Sequence, residues 1–166
     1  MFRKEERQWT RYVMREKLAS IGDDFWIEDE GGRKVFKVDG KAFHIRDTFV
    51  MQDAQGREVA KIQERKLHVR DHMAIERGGK KIAEVKKRLV GIRDHLKVEV
   101  ENGDDLKVHG NLTDHEYEIE GSHGRVARIS KKWFRMRDTY GVEIEPDQDD
   151  ALILAITVAV DDISHD

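Results

Sequence analysis

The chain has no cysteine among its 166 residues, one proline, four serines, and only 7% aromatic residues. Without thiols, disulfides, thiolate metal sites and a cysteine nucleophile are all excluded, a pattern compatible with a reducing compartment. No Gly-x-Ser-x-Gly elbow, phosphate-cradling glycine loop or His-Glu-x-x-His helix is present, so no catalytic signature, cofactor motif or metal motif is found. A bilayer-spanning run is missing too. The longest apolar stretch lies in "DDALILAITVAVDDIS" (149–164), where ten apolar or near-apolar residues stand between two aspartate pairs. A spanning helix needs about 20, and the flanking Asp149, Asp150, Asp161 and Asp162 are the wrong sign for a membrane surface. The opening "MFRKEERQW" lacks the apolar core of a secretory signal, so a cytoplasmic protein is expected.

Charge is abundant but balanced, with 31 basic against 34 acidic residues and a net −3, which argues against a nucleic-acid partner. The length suits one domain with a substantial core. The expected organisation is a polar tail at 1–10 and a single domain over 11–166.

A repeat runs through that domain. Aspartates recur at Asp23, Asp47, Asp71, Asp94, Asp114 and Asp138, spaced 24, 24, 23, 20 and 24 residues apart, four of them as Arg-Asp. After each, residues alternate with period two, as in "HLKVEVEN", where Leu96, Val98 and Val100 share one face and Lys97, Glu99 and Glu101 the other. Turn signals follow at "EGGR", "AQGR", "RGGK", "ENGD" and "SHGR". Return strands follow in turn at 35–38, 59–62, 82–85, 105–108 and 126–129. Five hairpins, with "RYVMREK" (11–17) and "TYGVEIE" (139–145), make about twelve antiparallel strands. Closure into a barrel removes the exposed edges of so long a sheet, but twelve strands leave a lumen too wide for side chains alone. The segment 149–163, apolar all round and headed by Asp149 and Asp150 as helix caps, is expected to fill it as a central helix. Its β-branched residues leave a buried thirteenth strand as the alternative.

Five stretches, "YVMREKLASIGDDFWIEDEGGRKVFKVDGKAF", "IAEVKKRL", "GDDLKVHGNLTDHEYEI", "SKKWFRMRDTYGVEI" and "DDALILAITVAVDDI", resemble the LURP-one-related proteins, which share a barrel with the tubby proteins and the phospholipid scramblases. The resemblance covers roughly 11–163 and implies a twelve-stranded closed barrel around a C-terminal hydrophobic helix. It assigns no activity and no ligand residues.

In an up-and-down barrel all hairpin tips fall at one end. The tip segments carry 17 acidic against 7 basic residues, while the connecting segments carry about twice as many basic as acidic residues. The basic end, with Arg65, Lys66, Lys86, Lys87, Arg88, Lys131, Lys132, Arg135 and Arg137 beside Trp133 and Phe134, is the candidate surface for an anionic lipid headgroup or another polyanion. The plainer alternative is a solvated rim of turns and local ion pairs. Trp133 and Phe134 read either as a membrane-dipping pair or as residues of which one packs into the core. His44, His68, His72, His95 and His115 recur at fixed repeat positions, which a metal ladder or a duplicated turn preference would both explain. "EIEPDQDDA" is carboxylate-rich but lacks the EF-hand order, so a helix cap is the simpler reading. The expected function is a non-enzymatic binding or scaffold module, with an anionic phospholipid surface or a protein as partner. A small-molecule carrier and an enzyme working from a cleft at the barrel mouth are the alternatives.

Overall fold

The computed structural model of the chain describes residues 8–15, 24–40, 47–66, 69–90, 93–133 and 138–164. Twelve strands form one closed antiparallel barrel in sequence order: β1 (Thr10–Arg15), β2 (Asp24–Asp29), β3 (Lys34–Gly40), β4 (Thr48–Asp53), β5 (Glu58–Lys66), β6 (Val69–Arg77), β7 (Lys80–Val90), β8 (Arg93–Val100), β9 (Leu106–Asn111), β10 (Glu116–Gly121), β11 (Gly124–Ser130) and β12 (Thr139–Ile144). β1 closes the ring on β12 in a register running from Thr10 opposite Ile144 to Arg15 opposite Thr139. No edge strand is left to pair with another chain.

The repeat has a structural counterpart in the turns. In "DEGGR" and "DAQGR" the Asp29 and Asp53 side chains each accept two turn amides, from Gly31 and Arg33 and from Gln55 and Arg57, all at 2.9 Å. Just before these turns the register slips by one residue, at Ile27/Glu28 and Met51/Gln52, and comparable slips occur at Ile75/Glu76 and Ile119/Glu120. Such bulges sharpen strand twist, which favours closure.

The lumen is filled by α1 (Asp150–Ser164), which settles helix against strand for this segment. Asp149 caps it, accepting the Leu152 amide on Oδ1 at 3.1 Å, while its carbonyl accepts the Ile153 amide at 3.0 Å. Asp150, in the first turn, accepts the Tyr12 hydroxyl at 2.6 Å. Ile153 to Val160 are buried without interruption, against inward residues such as Ile62, Met73, Ile75, Val85 and Val142. The helix packs chiefly on β5, β6, β7 and β12. The helix thereby occupies the lumen that twelve strands alone would leave open. The up-and-down order puts every hairpin tip at the end where α1 begins and every connection at the end where it finishes.

Candidate functional site

Strand alternation puts Glu84 on the outer wall of β7, between the inward Ala83 and Val85, yet it is only 7% exposed. What covers it is a set of nitrogen-bearing side chains from three strands. Lys81 Nζ lies 3.1 Å from Oε2, His72 Nδ1 3.5 Å and Arg65 Nε 3.7 Å from Oε1. Burial alone would raise the Glu84 carboxyl, but Lys81, Lys86 and Arg65 outweigh it and hold the group below its ordinary range.

Beside this hub, cross-strand register places Lys86 opposite Lys97, and Lys97 opposite Lys107. Three ammonium-bearing side chains therefore stand in one row on β7, β8 and β9. At strand spacing they span about 10 Å. Glu99 reaches Lys86 at 3.0 Å and Lys97 at 3.8 Å, and Asp105 reaches Lys97 at 3.5 Å. The row ends beside a surface cavity of about 480 Å³ whose lining includes His95, Lys97 and Lys107 together with Asp105, Glu120 and Ser122.

The candidate residues read from the sequence divide among several places. Arg65 and Lys86 belong to this outer wall. Lys87 is opposite Leu96, a buried residue, so it occupies an inward register position next to the outward Lys86. Lys131 and Lys132 follow β11 at the end where α1 finishes, in a tight turn. The Lys131 amide donates to Glu116 Oε1 at 3.0 Å and the Lys132 amide to Ser130 Oγ at 3.1 Å. The side chains of Lys66 and Arg88, and all of Phe134, Arg135 and Arg137, lie outside the described residues. Trp133 neither enters the core nor stands free, because the Arg11 and Arg128 guanidiniums stack on its ring at 5.2 and 5.3 Å. Glu84, Lys97 and Lys107 are additions to the sequence reading. Both lysines occupy outward positions of one predicted hairpin, the signal that would have found them.

Among the described residues the histidines do not form a ladder. His72 joins Glu84 and His95 faces the surface cavity, whereas His115, at a positive φ of 53°, turns inward and is fully buried. There His115 Nε2 lies 3.1 Å from Asp161 Oδ1, the Tyr140 hydroxyl donates to Asp161 Oδ2 at 2.5 Å, and the two rings stack at 4.2 Å. His44 and His68 lie outside the described residues. Among the described residues, two sets of ligand-type atoms come within 4.8 Å of one another, His109 with Glu118 and Glu120, and Asp47 with Glu64 and Asp162. Both are already engaged: Arg125 holds Glu118 at 3.0 Å, and Glu64 accepts the Asp47 amide at 2.8 Å. The "EIEPDQDDA" carboxylates do not converge as a set, since Asp149 caps α1 and pairs with Arg77 at 2.7 Å. No described helix is long and apolar enough to cross a membrane.

These features define a closed antiparallel barrel whose interior is taken by its own helix and whose basic groups gather on the outer wall. The chain belongs to the LURP-one-related family, whose model matches residues 10–161. A crystal structure of a protein from Arabidopsis thaliana has the same fold, with a TM-score of 0.72, 24% identity, and coverage of 95% of this chain and 92% of that one. No curated protein matches this chain in sequence.

Proposed function

We propose that the protein is a non-enzymatic binding module that takes an anionic lipid headgroup, or a polyanion of the same phosphate chemistry, on the outer wall of β7–β9. The observation that carries this reading is the in-register row of Lys86, Lys97 and Lys107. Like charges directly opposite one another on a sheet are destabilising, and a phosphate bridging neighbouring ammonium groups relieves that repulsion with charge-assisted hydrogen bonds. The adjoining cavity, with His95 on its wall, gives room for a headgroup. Arg65 extends the surface on one side. With Lys131 and Lys132 at the barrel end where α1 finishes, a membrane surface would lie towards that end. The likeness to tubby proteins and scramblases read from the sequence agrees with this at the level of fold. Against an enzymatic reading, the Ser122 and Ser130 hydroxyls donate to Asp104 and Glu116 rather than to a histidine base.

Co-sedimentation with phosphatidylcholine vesicles, with and without phosphatidylserine, tests the proposal at low and moderate salt. The expected outcome is salt-sensitive binding to the anionic vesicles alone, abolished in Lys86→Glu/Lys97→Glu/Lys107→Glu. Binding lost instead in Lys131→Glu/Lys132→Glu would move the contact to the barrel end. Absence of binding at low salt would sink the headgroup reading.

A further inference from the structure

The acidic end of the barrel holds a second concavity, which adjoins the cavity beside the lysine row and shares Leu106, Gly121 and Ser122 with it. It measures about 260 Å³ and lies between the β8–β9 and β10–β11 hairpin tips and the β12–α1 connection. Its floor is apolar, made by Val100, Leu106, Val126 and the first-turn residues Leu152 and Ile153. Three carboxylates, Asp104, Glu145 and Asp149, stand at its rim.

Their partners differ. Arg77 satisfies Asp149 with two guanidinium bonds, at 2.7 and 3.1 Å. Asp104 accepts the Ser122 hydroxyl at 2.5 Å and pairs with no cation among the described residues. Glu145 is fixed by its own amide, which donates to the Val126 carbonyl at 2.9 Å, and its carboxylate meets no cation among the described residues. Arg125, close in sequence to His123 on the same rim, turns away to Glu118 at 3.0 Å and stacks on Trp9 at 5.4 Å. The helix N-terminus would by itself favour an anion, but Asp149 and Asp150 already answer it. An apolar floor under two carboxylates without counterions selects an occupant with an apolar body and a positive head.

We infer that this concavity is a binding site for a compact organic cation, an ammonium or amidinium carried on a single ring or a short hydrocarbon body. Its volume is below the usual range of drug-sized pockets, which limits the body to about one ring. The cationic head sits between Asp104 and Glu145, and the body covers Leu152 and Leu106. Asp104, Glu145, Leu152 and Ile153 line this concavity alone, and Lys97 and Lys107 the neighbouring cavity alone, so a cation here and an anion there are tested by different residues and either can fail without the other.

Amide chemical-shift titration of the full chain tests the inference with four probes: phenethylammonium, the neutral phenethyl alcohol, the anionic phenylacetate, and methylammonium, which has the head without the body. Phenethylammonium is expected to give saturable shifts centred on Gly124, Glu145 and Leu152, which line this concavity and not its neighbour, with the other three at least tenfold weaker. Asp104→Asn/Glu145→Gln keeps shape and folding while removing the charge, and should weaken phenethylammonium about tenfold or more. Leu152→Trp should block it by filling the floor. Equal binding of phenylacetate, shifts centred elsewhere, or unchanged affinity in the charge-removed variant would each overturn the assignment.

Discussion

Glu84 and Asp161 are both nearly inaccessible carboxylates, one on the outer wall and one on the central helix, and their neighbours give them different work. Around Glu84 the partners are half-exposed lysine and arginine side chains, so each pair is screened and the stability it contributes is small. Its larger effect is on charge. Glu84→Gln leaves Lys81, His72 and Arg65 without their shared counterion, and if the outer wall takes anions, this variant should sediment more strongly with anionic vesicles than the parent. Unchanged or weaker sedimentation would count against the wall. Asp161 accepts the Tyr140 hydroxyl and has the His115 imidazole beside it in the buried interior, where losing a partner strands an acceptor. Tyr140→Phe preserves the stacked ring on His115 but removes the hydroxyl that donates to Asp161. The expected cost is about 1–3 kcal/mol in urea denaturation, with vesicle binding unchanged.

At the scale of the elements, the close approach of β9 to β10 depends on Gly110. Its φ is +130°, and a Cβ there would meet the Glu116 carbonyl oxygen and the Tyr117 Cα at 2.8 Å, both main-chain atoms that cannot swing aside. Gly110→Ala should therefore destabilise by about 2 kcal/mol or more, read as a melting temperature lowered by several degrees. This strand order was legible in the sequence because one signal was written many times: period-two alternation, a glycine turn, and an aspartate about every 24 residues. The helix was legible because a twelve-stranded ring must be filled and only one segment is apolar on all sides. The pairing of side chains was not. Lys86 and Lys87 are neighbours in sequence, but the pleat sends them to opposite faces, so a count of charges by segment joins what the strand separates. The lysine row depends on register across three strands, which hairpin loops and bulges set and no single strand reveals. His115 sits at the same repeat position as His72 and His95, yet a left-handed backbone turns it into the core.

For the whole molecule, the titratable groups locked in place on folding set the pH range of stability. Glu84 and Asp149 have carboxyls that burial alone would raise, but their cationic and amide partners hold them below the ordinary range, while the Arg57 amide and guanidinium lower Asp53. A lowered carboxyl favours the fold above its unfolded value and loses that contribution as pH falls through the folded one, so stability should decline below about pH 4. The alkaline side is more diagnostic, because the chain has only three tyrosines and every one is raised. Burial and then Asp161 raise Tyr117 and Tyr140 well above 10, and burial and then the hydrogen bond to Asp150 raise Tyr12. A raised hydroxyl favours the fold fully below the unfolded value near 10 and loses that contribution as pH climbs towards the folded one. No tyrosine should then ionise independently at its usual pH. Tyrosinate absorbance should stay flat through pH 10 and rise in one cooperative step that coincides with loss of the β-sheet circular dichroism signal. A gradual rise centred near pH 10 in a still-folded protein would mean that at least one of these hydroxyls is open to solvent, contrary to the burial of the three rings and to the bonds of Tyr12 and Tyr140 with Asp150 and Asp161 from which the expectation derives.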